Sequence, residues 1–246
     1  MRGSEHPRRV ALITGGSGAI GGAVAERLAK RGTDVYIGYF SQESKARALA
    51  ERLQGTPLCL DAADKISIRQ AVGTVLATSG RLDILVHSAG ITGDRMMSKL
   101  TPDDFGQVLD VNVTGAFHLL QAVLPTMRAQ GYGRIVHITS YAALHGRTGQ
   151  TAYAASKAAL IGLTKAAALE EIEHGITVNA YAPSVTESAM TDGLTAEARH
   201  RLLQAIPLGR MQTPAEAAAL IAWLTAAEAG TVSGQVFSGD TRQNGW

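Results

Sequence analysis

Short, wholly apolar runs alternate with segments of helical periodicity along nearly the whole 246-residue sequence, and few architectures accept that order. Val10-Ala-Leu-Ile-Thr14 reads as a fully buried strand. Ile20, Val24 and Leu28 then recur every four residues, giving a helix that ends at Gly32. Further strands are predicted at Val35–Phe40, Leu58–Leu60, Leu82–His87, Arg134–Ser140, Ile176–Ala182 and around Val236-Phe237. Helices are predicted over Glu43–Leu53, Asp64–Ser79, Val113–Arg128 and Thr151–Glu173, with further starts at the Thr-Pro pairs Thr101-Pro102 and Thr213-Pro214. Strands apolar on both faces must be covered on both faces, which means a parallel sheet between two helical layers.

Right-handed crossovers turn this into an α/β, doubly wound, Rossmann-type sheet of about seven strands. No repeat or linker splits it, so residues 9–246 read as a single domain behind a flexible, basic N-terminus (residues 1–8, with Arg2 and Arg8). The polar stretch from Glu187 to Gln204 reads as mobile. With 46% hydrophobic and 18% charged residues, the chain can bury a large core without staples. A net charge of +2 with no dense Lys/Arg run argues against nucleic acid. The apolar stretch Ala217–Leu224 is far short of a membrane span. One cysteine, Cys59, sits in an apolar run and is expected in the core. A reducing, cytoplasmic setting without membrane attachment is expected.

The turn after the first strand, Thr14-Gly15-Gly16-Ser17-Gly18-Ala19-Ile20-Gly21, leads straight into a helix. Exposed N–H groups and the helix dipole favour a diphosphate there, with Gly15, Ser17, Gly18, Ile20 and Gly21 as contacts. The second strand ends Gly38-Tyr39-Phe40-Ser41 with no acid to grip a ribose 2′-hydroxyl. That favours NADP(H), with Ser41 and Lys45 near the 2′-phosphate, and leaves NAD(H) open. Asp61 and Ala62 follow the third strand, where Asp61 is either an adenine-side contact or a solvated cap. Ser88, Ala89 and Gly90 follow the fourth.

Tyr153 and Lys157 are four apart in an alanine-rich helix, so both side chains leave the same face. A phenol titrates at roughly 10. A neighbouring ammonium favours the phenolate and moves that value toward the range where proton transfer works well. Ser140 ends a buried strand, and its hydroxyl is placed to hold a carbonyl or alkoxide beside the phenol.

Together these motifs resemble the short-chain dehydrogenase/reductase family, and within it the bacterial 3-oxoacyl-acyl-carrier-protein reductases, from about Val10 to Asp240. The resemblance implies hydride delivery from a nicotinamide to a substrate carbonyl. Ser140 and Tyr153 would bind its oxygen and Tyr153 would supply the proton. Lys157 would lower the tyrosine pKa and bond the nicotinamide ribose, and Asn112 would hold a water relaying protons to it. Read alone, Asn112 is equally a packing residue inside a helix. Pro183, Ser184 and Thr186, with Ser188 nearby, would hold the carboxamide end.

Five departures stand out: Ala19 for the usual second glycine of the turn, Gly18 where a basic residue is frequent in NADP-dependent members, His87-Ser88 for two asparagines, Ser184 for glycine, and Thr241-Arg242 for two glycines. The last two adjoin the expected substrate mouth. Substrate contacts are expected from Tyr141, Leu144, His145, Gln150 and Met190, with Met96 and Met97 as either pocket residues or flexible filler. His145 is either a pocket contact or a loop histidine.

A carrier protein is acidic and asks for a basic patch. The expected docking end reads Glu170-Glu171-Ile172-Glu173-His174, relieved only by Arg128 and Arg134. The leading expectation is NADPH-dependent reduction of a 3-oxoacyl thioester, carried by acyl carrier protein or coenzyme A, fatty-acid or polyketide in type. The alternative is an NAD(P)-dependent dehydrogenase of a small secondary alcohol or ketone. A nucleotide-binding regulator without turnover would not need Asn112, Ser140, Tyr153 and Lys157 together. The resemblance also implies a homotetramer.

Overall fold

The computed structural model describes residues 8–242, and Arg8 is tied to Asp34 by an ion pair at 3.0 Å. Residues 1–7, most of the expected flexible N-terminus, lie outside the described residues. Seven strands form one sheet: β1 (Val10–Thr14), β2 (Asp34–Tyr39), β3 (Thr56–Cys59), β4 (Ile84–His87), β5 (Gly133–Ile138), β6 (Ile176–Ala182) and β7 (Val236–Ser238). Their order is β3-β2-β1-β4-β5-β6-β7 and every pairing is parallel. The helices are α1 (Ala19–Ala29), α2 (Glu43–Leu53), α3 (Lys65–Ser79), α4 (Pro102–Leu109), α5 (Gly115–Gln130) and α6 (Tyr141–His145). They continue with α7 (Thr151–Glu171), α8 (Ala189–Asp192), α9 (Ala196–Gln204) and α10 (Pro214–Leu224).

Alternation along each strand divides the core in two. Leu12, Leu85, Ile135 and Val178 face α3, α5 and α7, while Ile13, Val86, Val136 and Tyr181 face α1, α2 and α10. The chain winds outward from β1 to β3, then returns to lay β4 on the other side of β1. That reversal opens a crevice at the carboxyl ends of β1 and β4, where Thr14 lies opposite His87.

Helix starts follow their caps. Asp64 accepts from the Ile66 N–H, and Thr101 and Thr213 form capping boxes with Asp104 and Glu216. α4 and α5 are joined by a π-helical turn, Asp110–Thr114, so the expected Val113 start moves to Gly115. This continuous stretch, Pro102–Gln130, is long and apolar enough to cross a membrane by length and composition. Here Leu119, Leu120, Val123 and Met127 instead bury its apolar face in the core.

One expectation is corrected. Cys59 is exposed, because β3 is the edge strand and only Leu58 among its residues turns fully inward. The Glu187–Gln204 stretch holds α8 and α9, the second capped by the Thr195 hydroxyl.

Candidate active site

The crevice begins with a tight turn. Gly15 adopts a φ of +63°, and a Cβ there would lie 2.8 Å from the Ala89 nitrogen, so the turns after β1 and β4 meet backbone to backbone. α1 starts at Ala19 behind Gly18, and no side chain caps it. Its first N–H groups are therefore left for an anionic group in the crevice.

Two adjoining cavities lie here. One, of about 240 Å³, is lined by Gly15, Gly18, Ile20, Ser88, Gly90, Tyr153, Lys157, Pro183, Thr186 and Ser188. The other, of about 780 Å³, is lined by Gly15, Ser17, Gly18, Phe40, Ser41, Asp61, Ala62, Ala89 and Gly90 among others. Size and the uncapped helix fit a dinucleotide, and the lack of an acid at the end of β2 leaves a 2′-phosphate unrepelled. Asp61 both lines the cavity and accepts from the Ala63 N–H at 2.8 Å, so it is a turn residue as well. Two expected contacts stand elsewhere. Gly21 packs against the Gly15 backbone, and the Ser184 hydroxyl donates to Asp240 at 2.8 Å.

At the floor of the smaller cavity β5 ends and α6 begins, with Ser140 as its N-cap accepting from the Ala142 N–H at 3.1 Å. The Ser140 hydroxyl also lies close enough to Tyr153 to favour its phenolate. Lys157, only 3% exposed, donates from Nζ to the Ile138 carbonyl at 2.9 Å and lies 5.7 Å from the Tyr153 ring centre. Thr139 donates to the Lys157 carbonyl at 2.7 Å, fastening α7 to the end of β5.

The expectation of an acidified phenol is corrected. Burial raises the Tyr153 pKa above the usual tyrosine value, only partly offset by the neighbouring Ser140 hydroxyl. Lys157 shares the same dry floor, and burial lowers its pKa to about 8. Its ammonium is directed at a main-chain carbonyl rather than at the phenol.

Asn112 sits in the π-turn, fully buried. Its Oδ1 accepts from the Ile91 N–H, and its Nδ2 donates to the Ile91 carbonyl and to Ser156 Oγ, each at 2.9 Å. It thus straps the loop after β4 to α7. A Cβ on Gly90 would lie 2.9 Å from Asn112 Oδ1 and 3.2 Å from Lys157 Nζ, so that loop runs across both groups. π-turns re-aim a side chain by one extra residue, and no periodicity announces them.

The substrate side is mixed. Tyr141 stacks on His145 with ring centres 4.2 Å apart. Leu144, Met96 and Met97 are exposed. Gln150 is buried, and its amide donates to both Asp94 carboxylate oxygens at 3.1 Å, so it braces the loop rather than facing a ligand. The Met190 side chain lies outside the described residues.

The expected docking end is also corrected. α5 and α7 run back against the strands, so their C-termini, with Arg128 and Glu170–His174, lie at the amino edge of the sheet, away from the crevice. There Arg128 forms a bidentate ion pair with Glu171. Arg134 is 6% exposed and is engaged by the Gly133 and Gly175 carbonyls at 2.8 and 3.0 Å.

Two groupings were missed from sequence. His87 and His137, opposite each other in the β4–β5 register, form a buried pair with Nδ1 atoms 3.4 Å apart. Asp240 and Arg242 pair beside Tyr141. The departures His87 and Arg242 were the available signals; neither sequence position reveals its partner.

Comparison with known proteins agrees with this layout. A family model described as enoyl-(acyl carrier protein) reductase matches residues 16–241. The chain is 40% identical over 236 residues to the 3-oxoacyl-(acyl-carrier-protein) reductase FabG of Thermotoga maritima, covering 94% of this chain and 96% of that relative. The proteins of the same name from Vibrio harveyi and Escherichia coli are each 38% identical over 229 residues, covering 92% of this chain and 93% of theirs.

Proposed function

The chain belongs to the short-chain dehydrogenase/reductase family, an oxidoreductase acting on a CH–OH/C=O pair, and we propose that it reduces a 3-oxoacyl thioester to the 3-hydroxyacyl thioester with NADPH. The observation that carries this reading is Tyr153, with the Ser140 hydroxyl acting on its phenol, beside the buried Lys157 on the wall of a dinucleotide-sized crevice. The names of the relatives support the thioester class. The nicotinamide, when bound, supplies the hydride.

The chain's own residues supply the rest. Ser140 and Tyr153 hold the carbonyl oxygen, and Tyr153 gives its proton as negative charge develops there. A phenol kept protonated by burial suits an acid, and positioned proton transfer of this kind contributes about 10²–10⁴ in rate. Lys157 places a positive charge beneath the pair and holds the cofactor ribose. Asn112 keeps the loop after β4 across Lys157. The absence of an acid at Ser41 supports NADPH over NADH.

A second reading, a dehydrogenase of a small ketone or secondary alcohol, is favoured by Ser184 and the Asp240-paired Arg242, which stand where the resemblance implies glycines beside the expected substrate mouth. The test is an NADPH-oxidation screen over acetoacetyl-CoA, longer 3-oxoacyl thioesters and simple ketones, with NADH alongside. Turnover best with 3-oxoacyl thioesters and NADPH supports the proposal; turnover of simple ketones alone, or preference for NADH, overturns it. A homotetramer is part of the same reading, supported by the exposed Phe117, Leu169 and Trp223 that an assembly would cover. Light scattering should then give about four times the 25.7 kDa chain mass.

A further inference from the structure

The two departures beside the expected substrate mouth, Ser184 and Thr241-Arg242, prove to be one connected structure. Asp240, its side chain 1% exposed, accepts from the Ser184 hydroxyl at 2.8 Å and pairs bidentately with Arg242, Nε at 2.7 Å and Nη2 at 2.5 Å. The Arg242 guanidinium carbon lies 3.4 Å over the centre of the Tyr141 ring. The His145 imidazole stacks on Tyr141 at 4.2 Å with an interplanar angle of 26°. Two groups that close cannot share one face, so the phenol ring is held between a cation and an imidazole. Tyr141 directly follows Ser140, whose hydroxyl neighbours Tyr153.

We propose that Arg242 is a positioning residue that determines substrate specificity: it clamps Tyr141 against His145 as a fixed wall of the acyl pocket and ties that wall, through Asp240, to Ser184. This rests on the ketoreductase reading given above. A planar guanidinium is required because it bonds a carboxylate along one edge while its face lies on an aromatic ring, which a lysine ammonium cannot do. With glycines at 241 and 242, neither the buried Asp240 carboxylate nor the tyrosine would have this partner. The Tyr141 ring would then be free to turn and the acyl site would change shape. Thr241 holds the same segment from its other side, accepting from the Leu208 N–H at 3.2 Å.

The test compares wild type with Arg242→Lys and Arg242→Gly. For acetoacetyl-CoA the glycine variant should raise KM roughly tenfold with kcat within about threefold of wild type, because placement of the substrate is lost and the chemistry is not. The lysine variant, keeping charge without the flat face, should recover less than half of that loss. The NADPH dissociation constant should move less than about threefold. Crystals of the glycine variant should show the Tyr141 ring turned from its place beside His145, a readout that stands whether or not wild type reduces thioesters. An unmoved ring, or an unchanged KM in an active enzyme, overturns the proposal. Wild type without thioester turnover but with a displaced Tyr141 in the variant overturns the ketoreductase reading and leaves the clamp standing.

Discussion

A lysine in water is charged at any ordinary pH, but Lys157 is enclosed beneath Tyr153 and burial brings its pKa to about 8. The phenol moves the other way, above its usual value, for the same reason. As pH rises, the first group of this pair to lose a proton in the nucleotide-free enzyme is therefore the lysine. The reductive kcat/KM, measured with both substrates well below saturation, should be level on the acid side and fall above about pH 8, approaching tenfold per unit. A break only above pH 10 would assign the titration to Tyr153 instead. The spacing of Tyr153, Lys157 and Ser140 was readable from sequence, because four residues along a helix fix a shared face. Their pKa values were not, since they depend on how much of the chain closes over them and on where Nζ finds an acceptor.

At the scale of elements, parallel register sets His87 on β4 opposite His137 on β5, both fully buried, ring planes 84° apart. Their Nε2 atoms have no hydrogen-bond partner among the described residues. Burial chiefly, and the nearby Lys157 charge, lower the His137 pKa to about 4, and His87 is also lowered well below its usual value.

These histidines fold neutral, whereas the unfolded chain takes up protons below about 6.5. Their contribution is thus fully present above pH 6.5 and is lost as pH falls toward 4. His137→Asn should therefore lose about 2 kcal/mol less stability than wild type between pH 7 and pH 5, read from urea unfolding at each pH. Parallel pH dependences would refute this. The boundaries of β6 and the capped starts of α3, α4 and α10 were legible, because apolar runs and caps are local signals. The pairing of His87 with His137, the π-turn at Asn112 and the exposure of Cys59 on an edge strand were not. They follow from which strands become neighbours.

Over the whole molecule, alternation of strands and helices dictated a covered parallel sheet, and the reversal between β1 and β4 put the carboxyl ends of β1 to β6 around one crevice. Gly15, Ala89, Ser140 and Tyr153 are far apart in sequence and converge for that reason alone. Legibility failed at the molecule's outer features. The acidic Glu170–His174 segment proved to lie at the amino edge of the sheet, and Arg242 proved to be paired with Asp240 and laid over Tyr141.

The central claim is that Tyr153 delivers the proton to the reduced carbonyl. Its most direct test is Tyr153→Phe, assayed for NADPH dissociation constant and for turnover of the best substrate found in the screen. Nucleotide binding within about threefold of wild type and turnover lower by at least about 10² is the predicted result. Turnover unchanged in a variant that still binds NADPH would contradict it.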